Sequence, residues 1–199
     1  MRLTVVLLLF VLFPSSSMGQ QSQSRISLGT QYTYFRNQHG YFLNNSLLGG
    51  RVDILIVRHV WLTGQLDSGL TFHPHPIVSS IDGGRILLGR FGTKIGKSGT
   101  RFGGFAEIRA GFVSWSDALI FWNFDPVSGG IRFGRYTAPL LNLAGTMEVH
   151  TTRKTGLRFT IGNSMVFHGK RQVLSIEPAF PGFIAHNVDI SAGVFVRLF

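Results

Sequence analysis

Asn187-Val-Asp189-Ile-Ser191-Ala-Gly193-Val-Phe195-Val-Arg197-Leu-Phe199 closes the chain in thirteen residues of period-two apolar character. Val194, Val196 and Leu198 fall on one side, and Arg197 and Phe199 on the other. Alternation at this period marks an extended strand with two unlike faces, because successive side chains of a strand point in opposite directions. Such a strand needs an apolar surrounding for one face and a different environment for the other.

The opposite end of the chain supplies the setting. Met1 and Arg2 form a short positive start, residues 3–13 are apolar apart from Thr4, and Pro14 leads into Ser15, Ser16, Ser17, Met18 and Gly19. Charge, then apolar run, then small residues is the order of a secretory signal peptide. Ser17 and Gly19 suit the cleavage site and leave Gln20 as the first mature residue, with a second possible cut near Ser24. An uncleaved helical anchor would require about 20 apolar residues, roughly twice this run. An exported chain that ends on an aromatic-terminated strand is expected to be an outer-membrane β-barrel, with 1–19 as signal and 20–199 as the barrel domain.

Composition points the same way. The sequence is 44% hydrophobic and only 14% charged, with mean hydropathy +0.22, whereas soluble domains carry about 25% charge. Lipid around the outside of a barrel accounts for the deficit. The 25 glycines and 18 phenylalanines suit a wall that bends and meets a membrane interface. With no cysteine, disulfides, thiol catalysis and thiolate metal sites are excluded, and stability must come from a closed hydrogen-bonded wall. A net charge of +10 could suit nucleic acid. An exported chain meets anionic lipid instead, so the excess Arg and Lys are expected at the periplasmic side and the surface, facing lipid phosphates. The partners anticipated are outer-membrane lipid, lipopolysaccharide and the barrel-assembly machinery, with no nucleic acid and no cofactor.

Eight strands follow from alternation: 25–35, 50–59, 61–72, 85–95, 101–114, 141–150, 156–167 and 187–199. In the first, Ile26, Leu28, Tyr32 and Tyr34 face lipid while Arg25, Ser27, Gly29, Gln31 and Thr33 face the lumen. The second sets Val52, Ile54 and Ile56 against Arg51, Asp53 and His59, and the third sets Leu62, Leu66, Leu70 and Phe72 against Thr63, Gln65, Asp67 and Thr71. Short connections alternate with long ones, the pattern of periplasmic turns and external loops. The long connection 115–140, with Phe121, Trp122 and Phe124, is the expected contact loop, although interface-anchoring aromatics have the same look.

An eight-stranded barrel is just wide enough to be filled by side chains, so inward charges must satisfy one another. Asp53, Glu107, Arg109, Glu148, Arg158 and Asp189 are the expected lumen network, with Arg85 as a further inward candidate. Glu148, His150 and Thr152 at alternate positions could suggest a hydrolytic set, but the hydroxyl lies at a turn without an evident partner. His73-Pro74-His75 offers two metal donors where a site needs more. Catalysis and bound metal are therefore not expected.

The stretch Gly145-Thr-Met-Glu148-Val-His-Thr-Thr-Arg153-Lys154-Thr-Gly-Leu-Arg158-Phe-Thr-Ile-Gly162-Asn163 resembles the sixth-to-seventh strand hairpin of small bacterial outer-membrane barrels, the OmpA/OmpX-like superfamily. Gly104-Phe105-Ala106-Glu107-Ile108-Arg109-Ala110-Gly111-Phe112 is similar to the family's central strand. The resemblance implies an eight-stranded antiparallel up-and-down transmembrane barrel, and Phe199 as the assembly signal. Two departures stand out. Thr160 occupies the place of an acidic partner for Arg158, and Arg197 stands where the assembly signal favours an apolar residue, which predicts a bulge or a weak signal. The expected role is structural or surface-interacting, as in envelope integrity or adhesion. The alternatives are a narrow channel and a soluble exported barrel that binds an apolar ligand.

Overall fold

The computed structural model describes residues 25–36, 44–70, 82–122, 131–169 and 182–198. The expected signal segment 1–19, His73 to His75, Phe124 and Phe199 lie outside them. Eight strands form one closed barrel in sequential order: β1 (Ile26–Arg36), β2 (Asn44–Val57), β3 (Val60–Gly69), β4 (Asp82–Ser98), β5 (Phe102–Trp122), β6 (Ile131–His150), β7 (Thr155–His168) and β8 (Phe183–Leu198). Every neighbouring pair is antiparallel. Closure leaves no free edge, so backbone donors and acceptors are satisfied where lipid offers no hydrogen bonds.

Alternation sorts the side chains. On β7, Leu157, Phe159 and Ile161 are exposed while Arg158, Thr160 and Ser164 are buried. On β1, Ile26, Leu28 and Tyr32 face outward and Gln31 and Thr33 are buried as anticipated, but Arg25, expected in the lumen, is exposed just before the strand begins. Apolar residues thus face outward and charges inward, as a lipid-embedded wall requires and the reverse of a water-soluble barrel. The closing contact is regular: β1 and β8 pair from Ile26↔Leu198 to Arg36↔Val188 without a shift. Arg197 therefore continues the inward face, and no bulge accompanies it.

Close packing of the wall depends on glycine at particular points. A Cβ on Gly49 would fall 1.9 Å from Asp67 Oδ1 and 2.3 Å from the Leu66 carbonyl oxygen, so any side chain would push β2 away from β3. The Phe112 ring instead lies over Gly89, 2.5 Å from where a Cβ would stand. An aromatic covering a neighbouring strand's glycine restores contact that the glycine lacks. The β2–β3 turn is tight, with His59 at φ 72°.

Three sequence expectations need correction. The segment 115–140 is mostly strand: β5 continues to Trp122 and β6 begins at Ile131. Register shifts at Trp115/Ala118 and Leu119/Phe121 break the simple alternation there, which is why it resembles a loop in sequence. Crossing the membrane takes about 9–11 residues, so strands of 21 and 20 residues carry the β5–β6 hairpin well beyond the bilayer. The second correction is Arg85, which is exposed and not in the lumen. Arg85 shares the outward face with Leu87, Phe91 and Ile95, so that Ile86, Leu88, Arg90 and Lys94 are the buried residues. Finally, the lumen is only partly polar. Towards the long connections it is filled by Phe35, Leu47, Ile86, Leu88, Val113, Trp115, Ala138, Leu140, Val166 and Ala185.

The wall makes a depth-dependent prediction. Ile161→Arg, in the middle of β7, is expected to cost roughly 2–4 kcal/mol, and Phe102→Arg beside the β4–β5 turn at most about 1 kcal/mol. Urea unfolding in lipid vesicles measures both, and equal costs would contradict the placement of the bilayer along the wall.

Candidate functional site: the filled lumen

All six charges of the expected network are buried in the lumen, Arg51 and Asp67 join them from the inward faces that alternation gave to β2 and β3, and Arg90 and Lys94 are further members. Five cations thus meet five carboxylates: Arg51, Arg90, Lys94, Arg109 and Arg158 against Asp53, Asp67, Glu107, Glu148 and Asp189. Arg90 and Lys94 could have been found from the exposed Leu87, Phe91 and Ile95, whose spacing fixes the outward phase of β4.

The layer nearer the short turns centres on Asp53 and Glu148. Asp53 accepts from Arg51 Nε at 2.9 Å, Lys94 Nζ at 3.1 Å and Arg158 Nη2 at 2.5 Å. Glu148 Oε1 accepts from Lys94 at 2.7 Å and from Arg158 Nη2 at 2.9 Å. Arg158 therefore finds its carboxylates on β2 and β6, while Thr160 bonds Thr146 at 2.8 Å. This answers the departure at Thr160: the pair is replaced by partners supplied from other strands.

Glu107 links this layer to the next. It accepts from Arg51 Nη2 at 2.6 Å and Thr146 Oγ1 at 2.7 Å, and forms an ion pair with Arg109 Nη1 at 3.2 Å. Arg109 holds Asn142 Oδ1 through Nε at 3.0 Å and Nη2 at 2.7 Å, and also donates to Gln65. Arg90 joins Asp67 and Asp189, each at 3.0 Å. Asn142 and Ser164 donate to Asp189 at 2.8 and 2.7 Å. Gln31 and Thr33 bring β1 to Asp67, and Thr33 donates to Ser191 on β8 at 3.0 Å. All eight strands contribute to the connected set.

The turn-side mouth is closed by aromatics and one more cation. Trp61 meets Phe105 edge-on at 5.1 Å, and Lys94 Nζ lies 4.1 Å from the Phe105 centroid. Arg158 lies 5.0 Å from the Phe195 ring, within the range where a ring face attracts a cation. Arg197 Nη2 donates to Ser98 Oγ at 2.8 Å and lies 3.1 Å from His150 Nε2. The gap left among Ser27, Asp53, Trp61, Lys94, Ser98, Phe105, Glu148 and Arg197 is about 20 Å³, room for a single water. A much larger groove, about 750 Å³, lies on the outer wall among Leu28, Val52, Leu66, Phe91 and Phe112. At the other mouth Trp115, Tyr136, His168 and Phe183 form a stacked row with centroid spacings of 5.8, 5.9 and 4.4 Å.

The Glu148, His150 and Thr152 set does not come together. Glu148 is held by Lys94 and Arg158, and Thr152 bonds Thr155 within its own turn at 2.7 Å. Phe121 and Trp122 end β5. No group of three metal-donating side chains occurs among the described residues.

Removing one carboxylate leaves several cations buried without their partner, and breaking a buried pair costs about 3–5 kcal/mol. Asp53→Asn is expected to destabilise the barrel by that amount, whereas Ser191→Ala, which removes one hydroxyl contact, should cost about 1 kcal/mol. Urea unfolding in vesicles, followed by tryptophan fluorescence, compares them. Similar costs would mean that the network does not hold the wall together.

No family model matches this chain, and neither does any curated protein. Among solved structures, the crystal structure of Neisserial surface protein A aligns with 88% of this chain and 98% of its own, at TM-score 0.60 and 9% identity. The N-terminal β-barrel domain of Pseudomonas aeruginosa OprF aligns over 87% and 99%, at TM-score 0.45 and 13% identity. The first of these likenesses agrees with the strand order, the outward apolar face and the charged lumen in identifying the fold. The chain has the fold of a closed eight-stranded antiparallel barrel, the fold of Neisserial surface protein A.

Proposed function

We propose that this protein is a sealed barrel of the bacterial outer membrane, exported through a cleaved signal peptide, with a non-catalytic structural or surface-contact role in envelope integrity or adhesion. One fold serves many activities, so the reading must rest on the site. The observation that carries it is the lumen: ten opposed charges and their hydrogen-bonding neighbours fill its part nearer the short turns, an apolar cluster fills the part nearer the long connections, and the gap near the turn-side mouth has room for a single water. An ion would have to displace several mutually satisfied buried pairs to pass, and each is costly to separate.

Among the described residues the longest strands are β5 and β6, and the hairpin they begin supports a contact role for the segment that contains Phe121, Trp122 and Phe124. Strands position a contact surface with less ordering cost than a free loop.

Expression of the full precursor in a Gram-negative host tests the setting. The barrel is expected in the outer-membrane fraction, with Gln20 as its first residue and a heat-shifted mobility on detergent gels. Cells carrying it should adhere to surfaces or to one another more than cells with Phe121→Ser/Trp122→Ser/Phe124→Ser, and equal adherence would remove the contact role. In planar bilayers the purified protein is expected to add no conductance. Stepwise currents altered by Glu107→Gln or Arg109→Gln would replace this reading with a narrow channel.

A further inference from the structure

The charge of this chain is distributed unevenly along the barrel axis. Of its nine Asp and Glu residues, Asp53, Asp67, Glu107, Glu148 and Asp189 are buried in the lumen. The other four are Asp82, Asp117, Asp125 and Glu177. Asp82 opens β4, Asp117 pairs with Gly83, and Asp125 and Glu177 fall in the long connections. Among the described residues the rim formed by the short turns therefore carries no exposed Asp or Glu.

That rim does carry Arg25, Arg58, Lys97, Arg101, Arg153 and Lys154, all exposed. Arg25 directly precedes β1, Lys97 lies at the end of β4, and the other four stand in the three short turns. Backbone hydrogen bonds fix these corners to adjacent strands: Leu55 N to Arg25 O at 2.7 Å, His150 N to Arg101 O at 2.8 Å, and Arg197 N to Lys154 O at 2.7 Å. Because the lumen charges balance in number, most of the net +10 resides on this ring. Like charges spaced around a ring repel one another unless counter-charge lies close, within the roughly 8 Å over which charges remain unscreened at physiological salt.

Their height along the barrel identifies the counter-charge. Arg101 is followed directly by Phe102, 63% exposed, and Arg58 is preceded by Val57, 58% exposed. The apolar wall therefore begins one residue from the cations, which places them at the boundary between hydrocarbon and head groups. A ring at that level faces lipid phosphates sideways, whereas a soluble polyanion would approach only from the water beyond the turns. Clustered Lys and Arg beside a membrane are attracted to anionic lipid.

We propose that the short-turn rim is a binding surface for the head groups of anionic phospholipids in the adjoining leaflet. This inference rests on the membrane-barrel reading and is independent of the contact role of the β5–β6 hairpin.

The test uses the full mature protein in detergent micelles doped with phosphatidylcholine and phosphatidylglycerol, with co-purifying lipid measured by mass spectrometry. Wild-type protein is expected to be enriched in phosphatidylglycerol, and high salt should abolish the enrichment. Arg58→Gln/Lys97→Gln/Arg101→Gln/Lys154→Gln should reduce it about fivefold or more, with heat-shifted mobility showing that the barrel remains closed. Arg85→Gln/Arg135→Gln, at the opposite end, should leave it unchanged. Equal retention of the two lipids, equal loss in the two variants, or displacement of the lipid by soluble glycerophosphate would overturn the proposal.

Discussion

Closing eight strands leaves an interior with room for side chains and almost none for water, so a charge placed inside must meet its opposite inside. This constraint organises the molecule. Asp53 receives cations from β2, β4 and β7, and Asp189 is held by Arg90, Asn142 and Ser164 from β4, β6 and β7. Each carboxylate thus ties together strands that are not all neighbours in the wall. The backbone ladder joins adjacent strands, and the network joins them across the lumen.

Its chemistry changes along the axis. An aromatic floor of Trp61, Phe105 and Phe195 underlies the ion pairs at the short turns, offering ring faces to Lys94, Arg158 and Arg197. Towards the long connections the interior becomes apolar. The outer face stays apolar along this change, with Leu48, Leu87, Phe167 and Ile184 exposed beside the apolar interior layer, so the interior and not the wall differs between the two ends. Trp115, Tyr136, His168 and Phe183 belong to the end beside the long connections.

The same organisation separates the two ends. Paired charges in the lumen contribute little net field, so each rim expresses its own side chains. Among the described residues the short-turn rim has only basic groups among its charged side chains, and Asp82 and Asp117 lie on the strand ends beside the long connections. The ends of the barrel are therefore electrostatically different although the wall between them is uniformly apolar.

Alternation alone determined the outward face of β1, β7 and β8, the antiparallel barrel class and the burial of Asp53, Glu107, Arg109, Glu148, Arg158 and Asp189, because a strand has only two faces and lipid admits one kind of residue. Where the period is disturbed, that logic fails. Apolar residues on both faces of β4, with Ile86 and Leu88 inward and Leu87 and Phe91 outward, make its phase easy to misassign, and shifts near Trp115 conceal the true length of β5. The partners were decided only by tertiary structure: Arg158 finds Asp53 at a separation of 105 residues. Periodicity states which way a side chain points; the stagger of the closed wall decides what it meets, because strands far apart in sequence come to the same height only when the barrel closes.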